Sequence, residues 1–225
     1  MQTINKIADV RPFQKPQDSI FSTLINRKIS RVLTFVFVKY TRVTPTQVNF
    51  LSLFVSLVGC ALFLHPVYWY RLLGVLVLQL GFTLDCCDGE IARIKNAANA
   101  FGAWIDSVMD RFKEFAMLLA LTLSWYYNVF ASQHVLVVGF LAIIGLQLVS
   151  YLREAKKSSW PTTRTAELFI SKNIYLGTVD ITIYVVSLAI IMHWELYILW
   201  LFLLVSVPLI FKQLLSAYRL SQKSA

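Results

Sequence analysis

At 225 residues the chain has room for one domain, or two at most. Its composition, 57% hydrophobic against 15% charged residues with a mean hydropathy of +0.63, excludes an ordinary soluble protein and indicates an integral membrane protein. The net charge of +9 is no argument for nucleic acid, since cytoplasmic loops of membrane proteins collect Lys and Arg for topological reasons, and three cysteines, two of them adjacent at Cys86 and Cys87, supply neither a disulfide framework nor zinc-ligand spacing.

Residues 1 to 15 are polar, with Pro12 and Pro16 at their end, and are expected to form a loosely held tail; no apolar core of a signal peptide follows Lys6 and Arg11. From Asp18 apolar residues recur at helical spacing (Ile25, Ile29, Val32, Leu33, Val36) with Arg27, Lys28, Arg31, Lys39 and Arg42 as polar complement. This predicts an amphipathic helix on the membrane surface, its cations near the headgroups, with packing on the domain as a compatible alternative. Thr44-Pro45 reads as a helix start, threonine capping and proline at the first helical position.

An uncharged run over 48–64 is then the first predicted span, closed by His65-Pro66. A second starts near Tyr68 and continues as helix past Arg93; a third starts near Phe101 and is apolar from Phe115 to about Ala131. Runs over 135–152, 173–194 and 196–211 complete six spans, each near the roughly 20 residues that cross a bilayer. The fold expected is thus all-α: a tail and interfacial helix over 1–44, and a six-helix membrane domain over 45–225. If the first 44 residues are cytoplasmic and the spans alternate, 20 of the 21 Lys and Arg residues face the cytoplasm, Arg71 being the exception. That layout puts both termini, and the junction of spans two and three, on the cytoplasmic side.

At that junction stand four aspartates in two pairs, Asp85 with Asp88 and Asp106 with Asp110. At 100° per residue, Asp85, Asp88, Gly89 and Ala92 share one face of a helix, and Gly102, Asp106 and Asp110 share one face of the next. An ionised carboxylate in the bilayer costs roughly 2.5–3.5 kcal/mol on insertion scales, so four together require compensation. Divalent cations supply it. Mg²⁺ prefers carboxylate and phosphate oxygens, and two such ions can clamp a transferring phosphoryl group. Glycine and alanine between the pairs leave backbone open to a phosphate or nucleotide, and Arg93 is a fixed cation for one.

The pattern Asp85-x2-Asp88-Gly89-x2-Ala92-Arg93-x8-Gly102-x3-Asp106-x3-Asp110 resembles the signature of the CDP-alcohol phosphotransferase (CDP-alcohol phosphatidyltransferase) family, with no specified position missing. The resemblance implies a six-helix membrane enzyme, commonly a homodimer. It would move a substituted phosphate from a CDP-alcohol, commonly CDP-diacylglycerol, to the hydroxyl of an acceptor alcohol and release CMP. It implies that Asp85, Asp88 and Asp106 ligate two metal ions, Mg²⁺ with Mn²⁺ as substitute, and that Asp110 adjoins the metals as general base. Asp85, Asp88, Gly89, Ala92, Arg93 and Gly102 would meet the nucleotide. In the loop between spans four and five, Arg153, Lys156, Lys157, Arg164 and Lys172 suit an acceptor with its own phosphate, such as inositol phosphate or glycerol phosphate, although the positive-inside bias explains such residues too.

Lys113 and Glu114, one turn past Asp110, could touch the acceptor or simply pair along their helix. Asp180 falls inside the fifth predicted span and is expected to face the interior. Two alternatives use the same residues differently: an intramembrane Mg²⁺-dependent prenyltransferase, whose aspartate motifs lie further apart, and a cation transporter, which would place its acids near the midplane on broken helices.

Overall fold

The computed structural model describes residues 4–15, 18–19, 22–160, 168–171, 174–176 and 178–224. Seven α-helices dominate: α1 (Arg27–Tyr40), α2 (Pro45–Leu62), α3 (Tyr68–Ile94), α4 (Ala100–Asn128), α5 (Gln133–Ser159), α6 (Thr178–Met192) and α7 (Glu195–Ser224). A 3-10 turn, Ile7–Phe13, and a π-helical turn, Ser22–Asn26, precede α1. Three short strands, β1 (Asp18–Ser19), β2 (Leu168–Ser171) and β3 (Ile174–Leu176), make a small sheet in the order β1-β3-β2.

Helix α2 begins as its sequence predicts. Thr44 Oγ1 accepts from the Gln47 amide at 3.2 Å while Gln47 Oε1 accepts from the Thr44 amide at 2.8 Å, a reciprocal cap with Pro45 just inside. Helices α2 and α3 then pack against each other more extensively than any other pair, because Gly59 and Gly74 face each other across the crossing. A Cβ at Gly59 would stand 2.7 Å from the Leu78 amide nitrogen, and one at Gly74 would stand 2.7 Å from the Gly59 carbonyl oxygen. Small residues at a helix crossing in lipid let backbones touch where no hydrophobic driving force is available.

The core runs through all of α2 to α7, with Phe63, Leu78, Met117, Leu121, Ile183, Ile190 and Leu199 fully buried. Outward the bundle is apolar as well: Phe54, Trp69, Leu76, Phe140 and Leu204 are each more than 60% exposed. So large an exposed apolar surface belongs in lipid.

The helices run alternately up and down. At one end Tyr68 Oη donates to the Ile191 carbonyl at 2.7 Å, Asn128 Nδ2 donates to the Phe63 carbonyl at 3.3 Å, and buried Arg71 pairs with buried Glu195. Arg71, the one basic residue outside the charge asymmetry, thereby joins the start of α3 to the start of α7. At the other end Lys156 Nζ on α5 donates to Gln213 Oε1 (2.6 Å) and Ser216 Oγ (3.3 Å) on α7.

The expected span count is met in part: among the described residues four helices, α2, α3, α5 and α7, are long and apolar enough to cross a membrane by length and composition, where six spans were expected. Helix α4 misses because Asp106, Asp110, Arg111, Lys113 and Glu114 occupy its first half, and α6 misses because it has 15 residues. The fifth apolar run was expected as helix from Asn173, but Ile174–Leu176 lies in β3, paired antiparallel with β2 and parallel with β1; a short apolar run does not by itself distinguish strand from helix. Asp180 is accordingly the third residue of α6 rather than seven residues inside a span.

The N-terminal residues are docked rather than loose: Val10 is wholly buried and packs with Ile4 and Ile94. Finally, α1 does not turn all its polar residues outward. Arg27, Ser30 and Thr34 are buried against α3, while Ile29, Val32 and Val36 are exposed.

Candidate active site

The turn between α3 and α4 brings the two aspartate pairs face to face. Helix α3 ends in a Schellman motif: the Ala97 amide donates to the Ala92 carbonyl at 2.8 Å and the Asn96 amide to the Arg93 carbonyl at 3.2 Å. Asn96 takes a left-handed conformation with φ 51°, which asparagine tolerates better than most residues. Asn99 then caps α4, its Oδ1 accepting from the Gly102 amide at 2.7 Å. A reversal this tight sets the last turns of α3 beside the first turns of α4.

Oxygens of Asp85, Asp88 and Asp106 come within 4.8 Å of one another. Asn49, on α2 and buried, bridges the two pairs: its Nδ2 donates to Asp88 Oδ2 at 2.6 Å and to Asp106 Oδ1 at 2.9 Å. Lys113, 2% exposed, bonds Asp85 Oδ1 and has its Nζ 3.6 Å from Asp110 Oδ1. Asp110 thus joins the cluster through Lys113, outside the trio of closest oxygens.

Beside Asp88 and Asp106 opens a cavity of about 390 Å³, lined also by Thr44, Pro45, Gly89, Ala92, Arg93 and Gly102. All the residues expected at the nucleotide except Asp85 line it. The Arg93 guanidinium lies over Gly89, where a Cβ would be in ordinary van der Waals contact with Arg93 Nη1 at 3.4 Å.

The charges do not cancel by simple pairing. Arg93 Nε donates to the Phe13 carbonyl, and Arg111 Nη1 pairs with Glu114 at 2.7 Å while its charge also reaches Asp110. Lys113 is one ammonium among four carboxylates, and Lys15 on the exposed N-terminal segment adds attraction to Asp106 from outside. The all-oxygen donor set and its surplus negative charge fit hard divalent cations.

The residues expected at the acceptor are dispersed. Arg153 Nε is 3.7 Å from Glu154 Oε1, and its charge reaches buried Glu114. Lys156 is turned toward α7, and Lys157 Nζ is 3.7 Å from Glu154 Oε2. Arg164 and Lys172 lie outside the described residues, as does the side chain of Asp180. Glu114 pairs within its own helix and accepts from Ser150 Oγ at 3.4 Å on α5.

Sequence reasoning missed Asn49; for Lys113 the expected pairing along its helix is present with Asp110, and the bond to Asp85 on α3 adds to it. Asn49 stands one helical turn after Pro45, an amide inside an apolar run, and a lone buried amide in a span carries that signal.

Comparison with known proteins agrees with this geometry. The family model described as CDP-alcohol phosphatidyltransferase matches residues 42–211. The chain is 31% identical over 183 residues to the bifunctional IPC transferase and DIPP synthase of Aquifex aeolicus, an alignment covering 79% of this chain and 39% of that relative. It is 28% identical over 118 residues to the phosphatidylinositol phosphate synthase of Corynebacterium glutamicum, covering 52% of this chain and 53% of that relative. The first curated relatives are matched over only 29% to 39% of their own length.

The crystal structure of Mycobacterium tuberculosis phosphatidylinositol phosphate synthase (PgsA1) with CDP-DAG bound shares the fold, with a TM-score of 0.65 at 22% identity over 86% of this chain and 94% of that one. A second structure of the same protein, in complex with manganese and citrate, superposes with a TM-score of 0.64 over 86% of this chain and 89% of that one. With the family model matched over residues 42–211 and six of the eight signature residues lining one cavity, the chain belongs to the CDP-alcohol phosphatidyltransferase family.

Proposed function

We propose that this protein transfers a substituted phosphate from a CDP-alcohol, CDP-diacylglycerol first among them, to the hydroxyl of a phosphorylated polyol such as inositol phosphate, with release of CMP. The observation that carries this reading is the convergence of Asp85, Asp88 and Asp106 within 4.8 Å beside a cavity walled by Gly89, Ala92, Arg93 and Gly102. The CDP-DAG in PgsA1 supports the donor, and the phosphatidylinositol phosphate synthase of C. glutamicum supports a phosphorylated acceptor.

Asp85, Asp88, Asp106 and, more distantly, Asp110 would hold two divalent ions, Mg²⁺ or Mn²⁺; the manganese complex of PgsA1 supports the choice. When bound, such ions neutralise the donor pyrophosphate and make CMP a better leaving group. The chain's own groups do the rest. Arg93 and the open backbone at Gly89 and Gly102 receive the nucleotide. Asp110 accepts the proton of the acceptor hydroxyl as that oxygen bonds to the β-phosphorus and the bond from phosphorus to the CMP oxygen breaks. Lys113 holds Asp85 and Asp110 in register. Arg153 is the described cation best suited to an acceptor phosphate, with Arg164, Lys172 and Lys156 proposed to assist.

The six-span topology, with both termini and the aspartates on the cytoplasmic side, belongs to the same proposal. The alternating helices support it, and α6, about 22 Å long, packs in the bundle against α3, α4 and α7. Homodimeric assembly is the state we propose on family grounds. Nothing in the cavity favours the prenyltransferase or transporter alternatives.

The test is direct. Purified protein with CDP-diacylglycerol, Mg²⁺ and, in parallel, inositol phosphate, glycerol phosphate, serine or inositol should release CMP with one of these acceptors. Asp106→Asn should stay folded and release none, because a ligand is lost without change of shape. Turnover by Asp106→Asn at the wild-type rate would overturn the assignment.

A further inference from the structure

We infer that Glu90 and Gln14 are positioning residues for the donor nucleotide: together they clasp the N-terminal segment onto α3 so that the carbonyl of Phe13 holds Arg93 at the cavity. The inference rests on the transferase reading above and adds to it residues that the signature does not specify.

Glu90 follows Gly89 directly, is fully buried, and does not line the cavity. Its Oε1 accepts from Gln14 Nε2 at 3.0 Å, Arg27 Nη1 at 2.9 Å and Ser30 Oγ at 2.8 Å, and its Oε2 accepts from Thr34 Oγ1 at 2.6 Å. So complete a set of donors is not required merely to dock α1. An apolar side chain of similar volume commonly serves stability as well as a buried ion pair does. What a saturated polar network adds is a unique geometry.

The geometry it fixes is local to Gln14. Besides reaching Glu90, Gln14 Nε2 donates to the Arg27 carbonyl at 2.8 Å, and Gln14 Oε1 accepts from Arg31 Nη2 at 3.1 Å. Gln14 is held through both ends of its amide. Its neighbour Phe13 presents its carbonyl to Arg93 Nε. Two adjacent residues of the N-terminal segment therefore meet Glu90 and Arg93, which lie three residues apart on one face of α3. With Nε engaged from behind, the planar guanidinium is turned so that its Nη atoms lie over Gly89, where a Cβ would meet them at 3.4 and 3.5 Å. A long, rotamer-rich side chain is thus set in place before the nucleotide arrives, which lowers the ordering cost of binding.

Gln14→Ala is the variant of choice, because it leaves Arg27, Ser30 and Thr34 on Glu90, whereas truncating Glu90 strands a buried arginine. It should raise the KM for CDP-diacylglycerol about fivefold, the worth of one ordinary hydrogen bond, and leave kcat and the acceptor KM within about twofold. In an Arg93→Ala background the same change should alter the donor KM by less than about twofold, since its route to the nucleotide is already gone. An equal effect in both backgrounds, or a matching rise in the acceptor KM, would show a merely structural role and overturn the clasp. Should wild-type protein release no CMP with any acceptor, the transferase reading fails. The clasp is then judged on equilibrium CMP binding, where Gln14→Ala must weaken Kd by the same factor and an unchanged Kd overturns it.

Discussion

Asn49→Ala removes an amide that touches both halves of the aspartate cluster, and its consequence can be sized. The side chain makes two hydrogen bonds to carboxylates, at 2.6 and 2.9 Å, each of a kind worth about 1.5–3 kcal/mol. Water from the adjoining cavity can replace part of this, so we take the net loss as about one such bond, roughly 10- to 150-fold in an equilibrium constant. That range agrees with the roughly 10- to 100-fold cost of removing an outer partner of a metal-binding carboxylate.

The loss should appear in metal dependence, because what Asn49 fixes is the mutual aim of Asp88 and Asp106. With CMP release measured against Mg²⁺ concentration, the half-maximal point should rise about 10- to 100-fold and most of the rate should return at saturating Mg²⁺. Ser52→Ala, one turn further along α2, is the control: its Oγ donates to the Gly81 carbonyl at 2.9 Å and touches no aspartate. It should cost about 1 kcal/mol of stability with no change in metal dependence. An unchanged half-maximal Mg²⁺ concentration in Asn49→Ala would refute the bridging role.

Three further outcomes are expected. Gly59→Val should lower the thermal midpoint in detergent by roughly 2–12 °C, because its Cβ would meet backbone atoms of Leu78 and Gly74 at 2.7 and 2.9 Å; an unshifted midpoint would mean the helices separate freely. Arg71→Met strands Glu195 in the core and should cost about 3–5 kcal/mol in a thermal or chemical unfolding assay. Adding Glu195→Leu should restore most of that, and a double variant no better than the single would contradict the pairing argument. Arg153→Ala should raise the acceptor KM more than the donor KM in steady-state CMP release, and equal effects on both would remove Arg153 from the acceptor site.

The aspartate cluster was legible in the sequence because helical geometry turns spacing into direction. Once α3 and α4 are helices joined by a tight turn, residues 85, 88, 106 and 110 have few ways to point. Even the turn had a signal in Asn96 and Asn99, two residues suited to a left-handed exit and a helix cap. What spacing does not encode is which polar residue from a third helix enters the cluster, and Asn49 was read as part of a uniform apolar run. Hydropathy likewise misjudged the run containing Ile174, where strand pairing depends on segments more than 100 residues apart.

Helix α1 shows what amphipathicity alone leaves open. Its sequence has apolar residues on nearly every side, so the periodic pattern does not decide which face turns inward; Glu90 does. A carboxylate buried in α3 must be matched by donors, and Arg27, Ser30 and Thr34, spaced at three and four residues on one face, supply them. Leu33 and Phe37 flank that polar strip and pack beside Val48 and Ile91. The opposite face is then left with Ile29, Val32 and Val36 exposed between Lys28 and Lys39, an apolar surface edged with cations that suits the boundary of an anionic bilayer. On the topology proposed above, the surface helix foreseen from the sequence would meet the membrane for a reason the sequence hid: its polar residues are consumed inside the protein, beside the site, and the apolar side is the one that remains.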